Sequence, residues 1–188
     1  MSKDGILIDF DDSFSLNLIE LFSYIGINLK LVNWRDSKAL KSELDFLMKD
    51  SSILVLGPGP GHISEYGSFF KEYIQVFLDN IHVKKIGICL GHQLFLHHLY
   101  GLEIVKSSPA VHGRALKMND SLIQRYNSYT ILLDGNTRDN WEYSLDSSGE
   151  LALFRSPEVL TMQFHPESVG TNLQLSHFKD LISSFVYP

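Results

Sequence analysis

The chain has one cysteine, Cys89, in the run KKIGICLGHQLFLHHLYG (84–101). Ile86, Gly87 and Ile88 lead into it as the end of a short apolar strand would, and a helical pattern begins immediately after it. A tight strand-to-helix turn carries the side chain at its apex, open to attack on a substrate. Small neighbours let the backbone fold sharply there. The following helix offers its positive end and free backbone N–H groups, which favour thiolate and would steady an oxyanion beside it. A lone cysteine is by itself more often a buried structural residue. The Gly-x-Cys-x-Gly-His-Gln setting turns the balance toward a nucleophile.

A thiol nucleophile needs a base, and the base needs an orienting group. TMQFHPES (161–168) offers both. The apolar run from Val159 to Phe164 reads as a strand with His165 at its end, and Pro166 stiffens the turn that follows. Glu167 can fold back on the imidazole, fix its tautomer and favour imidazolium. His92, His97 and His98 are weaker candidates. No cysteine or carboxylate cluster at ligand spacing supports a metal site around them, and His97 and His98 read as helix-surface residues. LGPGPGH (56–62) ends another apolar strand. Its glycine-rich turn can aim backbone N–H groups at one oxygen, with the Leu90 N–H as the second half of an oxyanion hole. It lacks the ending of a phosphate-binding P-loop and is not G-x-G-x-x-G.

These residues must be positioned by a scaffold, and the first half of the chain shows one. Apolar strand runs at 5–10, 28–34, 51–61 (ending in the loop) and 84–89 alternate with helical patterns at 11–26, 39–48, 67–80 and 90–101. Asp12 or Ser13 can cap the first helix, and Gly26 closes it. Alternation of this kind implies βαβ units and a largely parallel, doubly wound sheet with helices on both faces. In such sheets ligands bind at the carboxyl ends of the strands, where Cys89 lies. The second half reads as short strands, EIVKS, RALKM, YTILLD, WEYSLD, ELALFR and VLTMQF, expected to extend the same sheet in antiparallel fashion. An amphipathic helix at 172–186 closes the chain. With 188 residues and no linker or repeat, the expectation is one α/β domain over 1–188. The net charge of -6 argues against nucleic-acid and anionic-membrane partners. No apolar run is long enough to span a membrane and no signal peptide is evident, so a cytoplasmic, reducing location is expected.

Taken together, ILIDFDDSFSLNL, LGPGPG, GICLGHQ, VHG (111–113), RYNS (125–128) and FHPES (164–168) resemble the class I (triad) glutamine amidotransferases, in the family's order and over nearly the whole chain. The opening stretch and the His-Gly element are most similar to the chorismate-using branch, the glutaminase subunits of anthranilate synthase and aminodeoxychorismate (para-aminobenzoate) synthase. The resemblance implies hydrolysis of L-glutamine through Cys89, His165 and Glu167, with the Gly59 and Leu90 N–H groups holding the oxyanion. It implies substrate contacts at Gly57, Pro58, Gln93, Asn127 and Ser128. Ammonia would pass to a separate, Mg-dependent chorismate-binding synthase subunit, with no cofactor in this chain. Asn127 stands where the family usually has His, Val111 where it has Met, Leu102 where a second Gly is common, and the segment between Gly113 and Arg125 is short.

Two other readings stay open: a stand-alone cysteine hydrolase acting on γ-glutamyl compounds, and a regulatory module of the same fold without catalysis. Glycines leave several backbone states open to residues 57–61. A partner docking on the rim formed by His62, Val111, His112, Gly113, Asn127 and Ser128 is therefore expected to order the oxyanion loop.

Overall fold

The centre of the molecule is built from strands that are apolar on both faces. A computed structural model of the chain describes residues 3–47, 53–133, 135 and 138–187. The first half forms β1 (Lys3–Asp9), α1 (Ser15–Tyr24), β2 (Ile27–Asn33), α2 (Ser37–Leu47) and β3 (Ile53–Leu56). A single 3-10 turn (Ile63–Tyr66) then leads into α3 (Gly67–Asp79), β4 (Lys84–Ile88) and α4 (Leu90–Tyr100). The second half forms β5 (Glu103–Met118), β6 (Ser121–Leu132), β7 (Glu142–Leu145), β8 (Leu151–Arg155), β9 (Val159–Met162) and α5 (Leu175–Val186). The expected element ends at Met48, at Ser51 and Ser52, and at Asp134 lie outside the described residues.

Seven strands make one sheet in the order β2-β1-β3-β4-β9-β8-β7. β2, β1, β3, β4 and β9 are parallel, and β8 and β7 add an antiparallel edge. All four residues of β3 and of β9 are buried, as expected of parallel strands covered by helices on both sides. Leu40, Leu44, Phe69, Phe70, Phe77 and Phe95 pack α2, α3 and α4 on one face. Leu18, Phe22, Phe178, Ile182 and Phe185 pack α1 and α5 on the other. The α/β class read from the sequence is therefore what the chain adopts.

Half of the expected antiparallel extension lies elsewhere. EIVKS and RALKM are two parts of one long, bulged strand, β5, and the YTIL of YTILLD is the end of β6, which also carries RYNS. β5 and β6 form a separate two-stranded ribbon. The short segment after Gly113 is the tip of this ribbon: Met118 pairs with Ser121, so only Asn119 and Asp120 make the turn, with Asn119 at φ 52°. Asparagine tolerates that left-handed conformation, which a tight hairpin requires. Leu102, Ile131, Leu151 and Phe154 join the ribbon base to the sheet edge in a third apolar cluster.

Other local expectations shift for identifiable reasons. Neither Asp12 nor Ser13 caps α1; Phe14 occupies that position without a side-chain bond. Asp12 Oδ1 instead accepts the Phe14 N–H at 2.8 Å, and Ser15 Oγ donates to Asp9 at 2.6 Å, so the two aspartates shape the loop before the helix. His97 and His98 are half-buried rather than on the helix surface. His97 Nδ1 lies 2.9 Å from the Leu102 carbonyl oxygen, and His98 stacks on Phe70 with ring centroids 4.3 Å apart.

The glycines around Cys89 answer to close packing. A Cβ on Gly91 would lie 2.1 Å from the Leu56 carbonyl oxygen, and one on Gly87 would lie 2.5 Å from the Gly91 carbonyl oxygen. Only hydrogen at both positions lets the first turn of α4 rest on the ends of β3 and β4. Gly91→Ala is expected to destabilise the protein by about 2–3 kcal/mol or more, because backbone rather than a side-chain tip must give way. Gly67→Ala, in open space with helical backbone angles, should be neutral or stabilise by about 0.5–1 kcal/mol. Urea denaturation of the two variants checks the contrast.

Candidate active site

Parallel register brings three strand ends level. Leu56 pairs with Gly87, and Ile88 with Met162, so the segments leaving β3, β4 and β9 emerge side by side. The ladder continues one step past the strands: the Cys89 N–H donates to the Met162 carbonyl at 2.8 Å, and the Gly57 N–H to the Ile8 carbonyl at 3.0 Å. The Gly91 N–H donates to the Gly57 carbonyl at 3.2 Å, tying the glycine-rich loop to the elbow helix. His165 leaves the sheet and donates its N–H to Gln124 of the ribbon at 2.9 Å.

Cys89 has φ 53° and ψ -101°. A non-glycine residue in that region is strained, at a cost of about 1–3 kcal/mol, and persists only where its surroundings impose it. The placement of the one thiol at this joint has a physical reason. The turn swings the side chain out of the sheet and over the N-terminus of α4, where the Leu90 N–H, at the first helical position, has no partner within the helix.

His165 is 2% exposed. Its Nδ1 lies 2.7 Å from Glu167 Oε1. Burial works against the imidazolium, but hydrogen bonding and charge from Cys89 and Glu167 outweigh it and raise the pKa to about 11. His165 Nε2 has no well-formed hydrogen bond among the described residues. Cys89 is thus near enough to favour the charged ring without closing a tight bond, a looseness common in unliganded sites. Phe14 and Tyr126 set their rings edge-on to the imidazole, at 5.7 and 5.3 Å between centroids.

In front of Cys89 is a cavity of about 360 Å³, at the small end of the range for ligand pockets. Gly59, Leu90, Gln93, Asn127 and Ser128 line it with Cys89, as do His62 and His112. Gly57 and Pro58 are buried behind it and do not line it. Gly59 can only be glycine: a Cβ would lie 2.5 Å from Phe10 Cβ and 2.7 Å from Leu90 Cδ2. Val111 points inward and is 4% exposed, whereas His112 is exposed and its Nε2 lies 3.3 Å from Ser128 Oγ. Gly113 is exposed at a bulge of the ribbon, outside the cavity lining.

The glycine-rich loop is pinned at Pro60 and, just past its end, at His62. Tyr66 donates its hydroxyl to the Pro60 carbonyl at 2.7 Å. Burial, and then the nearby Glu65 carboxylate, push that phenol up to about 12, so it stays a donor. The His62 N–H donates to Glu65 Oε1 at 2.7 Å, and the His62 ring packs edge-on against Tyr129.

Asn127 works within the wall rather than only at its surface. Fully buried Arg125 pairs with Asp146 and Glu150 and donates from Nε to Asn127 Oδ1 at 3.0 Å. Asn127 Nδ2 donates to the Tyr129 carbonyl at 2.8 Å, and Gln93 Nε2 donates to the same oxygen at 2.8 Å. This network, and Arg125 above all, was not legible from the sequence. An arginine at an inward position of an alternating strand was the available signal.

A family model for class-I glutamine amidotransferases matches residues 6–184. The chain belongs to that family. An anthranilate synthase component 2 of Vibrio parahaemolyticus is 29% identical over 181 residues, 88% of each chain. One from Cyanidium caldarium is 38% identical over 113 residues, 60% of this chain and 54% of that protein. A Schizosaccharomyces pombe protein assigned as an aminodeoxychorismate synthase is 28% identical over 194 residues, which span 95% of this chain and 26% of that longer protein. In fold, the chain is similar to the crystal structure of a Thermoplasma acidophilum protein assigned to GMP synthase. The TM-score is 0.74 at 18% identity, over 99% of this chain and 93% of that one.

His92, in the first turn of α4, is fully buried, and its Nδ1 lies 2.9 Å from Thr161 Oγ1. It lies outside the cavity lining and braces α4 against β9. Burial, and then the Arg125 charge, lower its pKa from 6.5 to about 3. The unfolded chain therefore takes up a proton near pH 6.5 that the folded chain refuses. Its contribution to stability is present above pH 6.5 and is lost as pH falls toward 3, with a slope of up to about 1.4 kcal/mol per pH unit. His92→Gln should flatten the acid limb of stability between about pH 6.5 and 4, read from urea midpoints across that range.

Proposed function

We propose that this chain is the glutaminase subunit of a chorismate-aminating synthase. It hydrolyses L-glutamine to glutamate and ammonia and delivers the ammonia to a partner subunit that makes anthranilate or aminodeoxychorismate. The observation that carries the reading is the strained Cys89 facing an amino-acid-sized cavity, with an imidazolium beside it anchored by a buried carboxylate. The names of the relatives, anthranilate synthase component 2 and aminodeoxychorismate synthase, support the partner class.

The reaction follows from the residues. The Cys89 sulfur attacks the side-chain amide carbon of glutamine, and the carbonyl electrons move to oxygen. The Gly59 and Leu90 N–H groups face that oxyanion. His165 gives its proton to the departing nitrogen, the C–N bond breaks, and ammonia leaves a glutamyl thioester on Cys89. His165, now neutral, takes a proton from water as the water attacks the thioester. Glutamate leaves, and the thiolate and imidazolium are restored. Glu167 orients the ring and favours its charged form throughout. Gln93, Asn127 and Ser128 frame the space for the amino-acid end of the substrate.

The pinned loop favours a second feature of this reading. Tyr66 and Glu65 already hold the turn that carries Gly59, so the isolated chain should hydrolyse glutamine at a measurable rate. A partner would act chiefly by covering the open cavity mouth and guiding ammonia.

Cys89→Ser is expected to abolish glutamine-dependent synthesis by the assembled complex while ammonia-dependent synthesis persists. His165→Ala should lose activity comparably. Glu167→Gln should retain more, though a lost orienting carboxylate can still cost up to ~10⁴ in rate. Steady-state assays of the aromatic amine product, with glutamine or with ammonium salt, separate these outcomes. Glutamine-dependent turnover that survives Cys89→Ser would reject the assignment.

A further inference from the structure

Gln163 is fully buried, just past the end of β9 and two residues before His165. Its backbone N–H is committed to the Ala152 carbonyl at 2.9 Å. Its side chain reaches the nucleophile. Nε2 lies 3.4 Å from the Cys89 carbonyl oxygen and 3.8 Å from Cys89 Sγ, within reach of an N–H···S contact. Oε1 accepts from Gln93 Nε2 at 3.0 Å.

The orientation of this amide is compelled by its neighbours. Gln93 Nε2 also donates to the Tyr129 carbonyl, which fixes Gln93 as the donor toward Gln163. Turning the Gln163 amide over would set its oxygen against the Cys89 carbonyl and sulfur, and its NH2 against that of Gln93. Two glutamines, one from α4 and one from the strand that leads to the base, thus form a short relay ending at the reacting atom.

We propose that Gln163 is a further catalytic residue of the glutaminase reaction, donating an amide N–H to the Cys89 thiolate while Gln93 acts as the positioning residue that aims it. The inference rests on the reading of Cys89 as nucleophile. A neutral amide suits the task. It favours the charged sulfur without taking the proton that His165 must carry. Because the contact is long, little is lost when the sulfur's charge passes into the new bond. Both Nε2 hydrogens of Gln93 are used in this arrangement, so only its Oε1 remains to face a ligand in the cavity.

The test is the pH dependence of Cys89 alkylation by iodoacetamide in the full-length chain, with melting temperature recorded for each variant. Gln163→Met removes the donor at similar volume. It should move the inflection to higher pH and slow alkylation at about pH 7 by roughly tenfold. Its glutaminase kcat should fall more than KM changes. Gln163→Glu, nearly isosteric but bearing an acceptor, should shift the inflection further in the same direction. Gln93→Met should shift it less, since Gln163 is then free to turn. If Gln163→Met does not fold, Gln163→Glu and Gln93→Met decide the question. A wild-type inflection in whichever Gln163 variants fold would overturn the proposal while leaving Cys89 as nucleophile. A wild-type Cys89 that never reacts faster than a free thiol would overturn both.

Discussion

Everything at the site depends on one backbone constraint, the left-handed turn at Cys89. At φ 53° the residue holds about 1–3 kcal/mol of strain that a relaxed loop would shed. The fold does not let it relax. Its N–H is bound to Met162, the next turn is bound to Gly57, and the missing Cβ at Gly87 and Gly91 lets α4 sit hard against the ends of β3 and β4. The same contacts that force the strain also set the helix N-terminus beneath the sulfur and fix the Gly59 loop at its flank. Strain, helix placement and loop placement are therefore one feature rather than three.

The second constraint is electrostatic and comes from the ribbon. Arg125 is buried with two carboxylates, and such a cluster is stable only when every charge is met; losing one partner typically costs about 3–5 kcal/mol. Its Nε–H fixes Asn127, and Asn127 fixes the Tyr129 carbonyl that also receives Gln93. The cavity wall is thus tied to the β7–β8 turn on one side and to the elbow helix on the other. Asparagine fits at 127 because it accepts from the guanidinium and donates onward without a titratable ring.

Much of this was legible in the sequence. Central strands such as ILVL at 53–56 announce themselves because burial on both faces demands unbroken apolar runs. The Cys89 elbow and the His165-Pro-Glu turn stand out because few other roles need those residues at strand ends. What was hidden depends on pairing between distant segments. The ribbon could not be told from a sheet extension, because alternating strands look alike whichever partner they find. Gln163 read as an ordinary residue, and His92 as a weak candidate for the site, until their neighbours were known. Glycine content alone leaves several backbone states open to the loop at 57–61, and the Tyr66 hydroxyl that bonds Pro60 could be paired with it only once the fold was known.

The proposed function rests on Cys89 acting as the nucleophile toward the cavity that it lines. The most direct measurement is covalent labelling of the chain by a diazoketone analogue of L-glutamine, mapped by peptide mass spectrometry with and without excess glutamine. The account predicts one label per chain, at Cys89, suppressed by glutamine. Labelling at another residue, or glutamine hydrolysis that continues with Cys89 fully labelled, would contradict it.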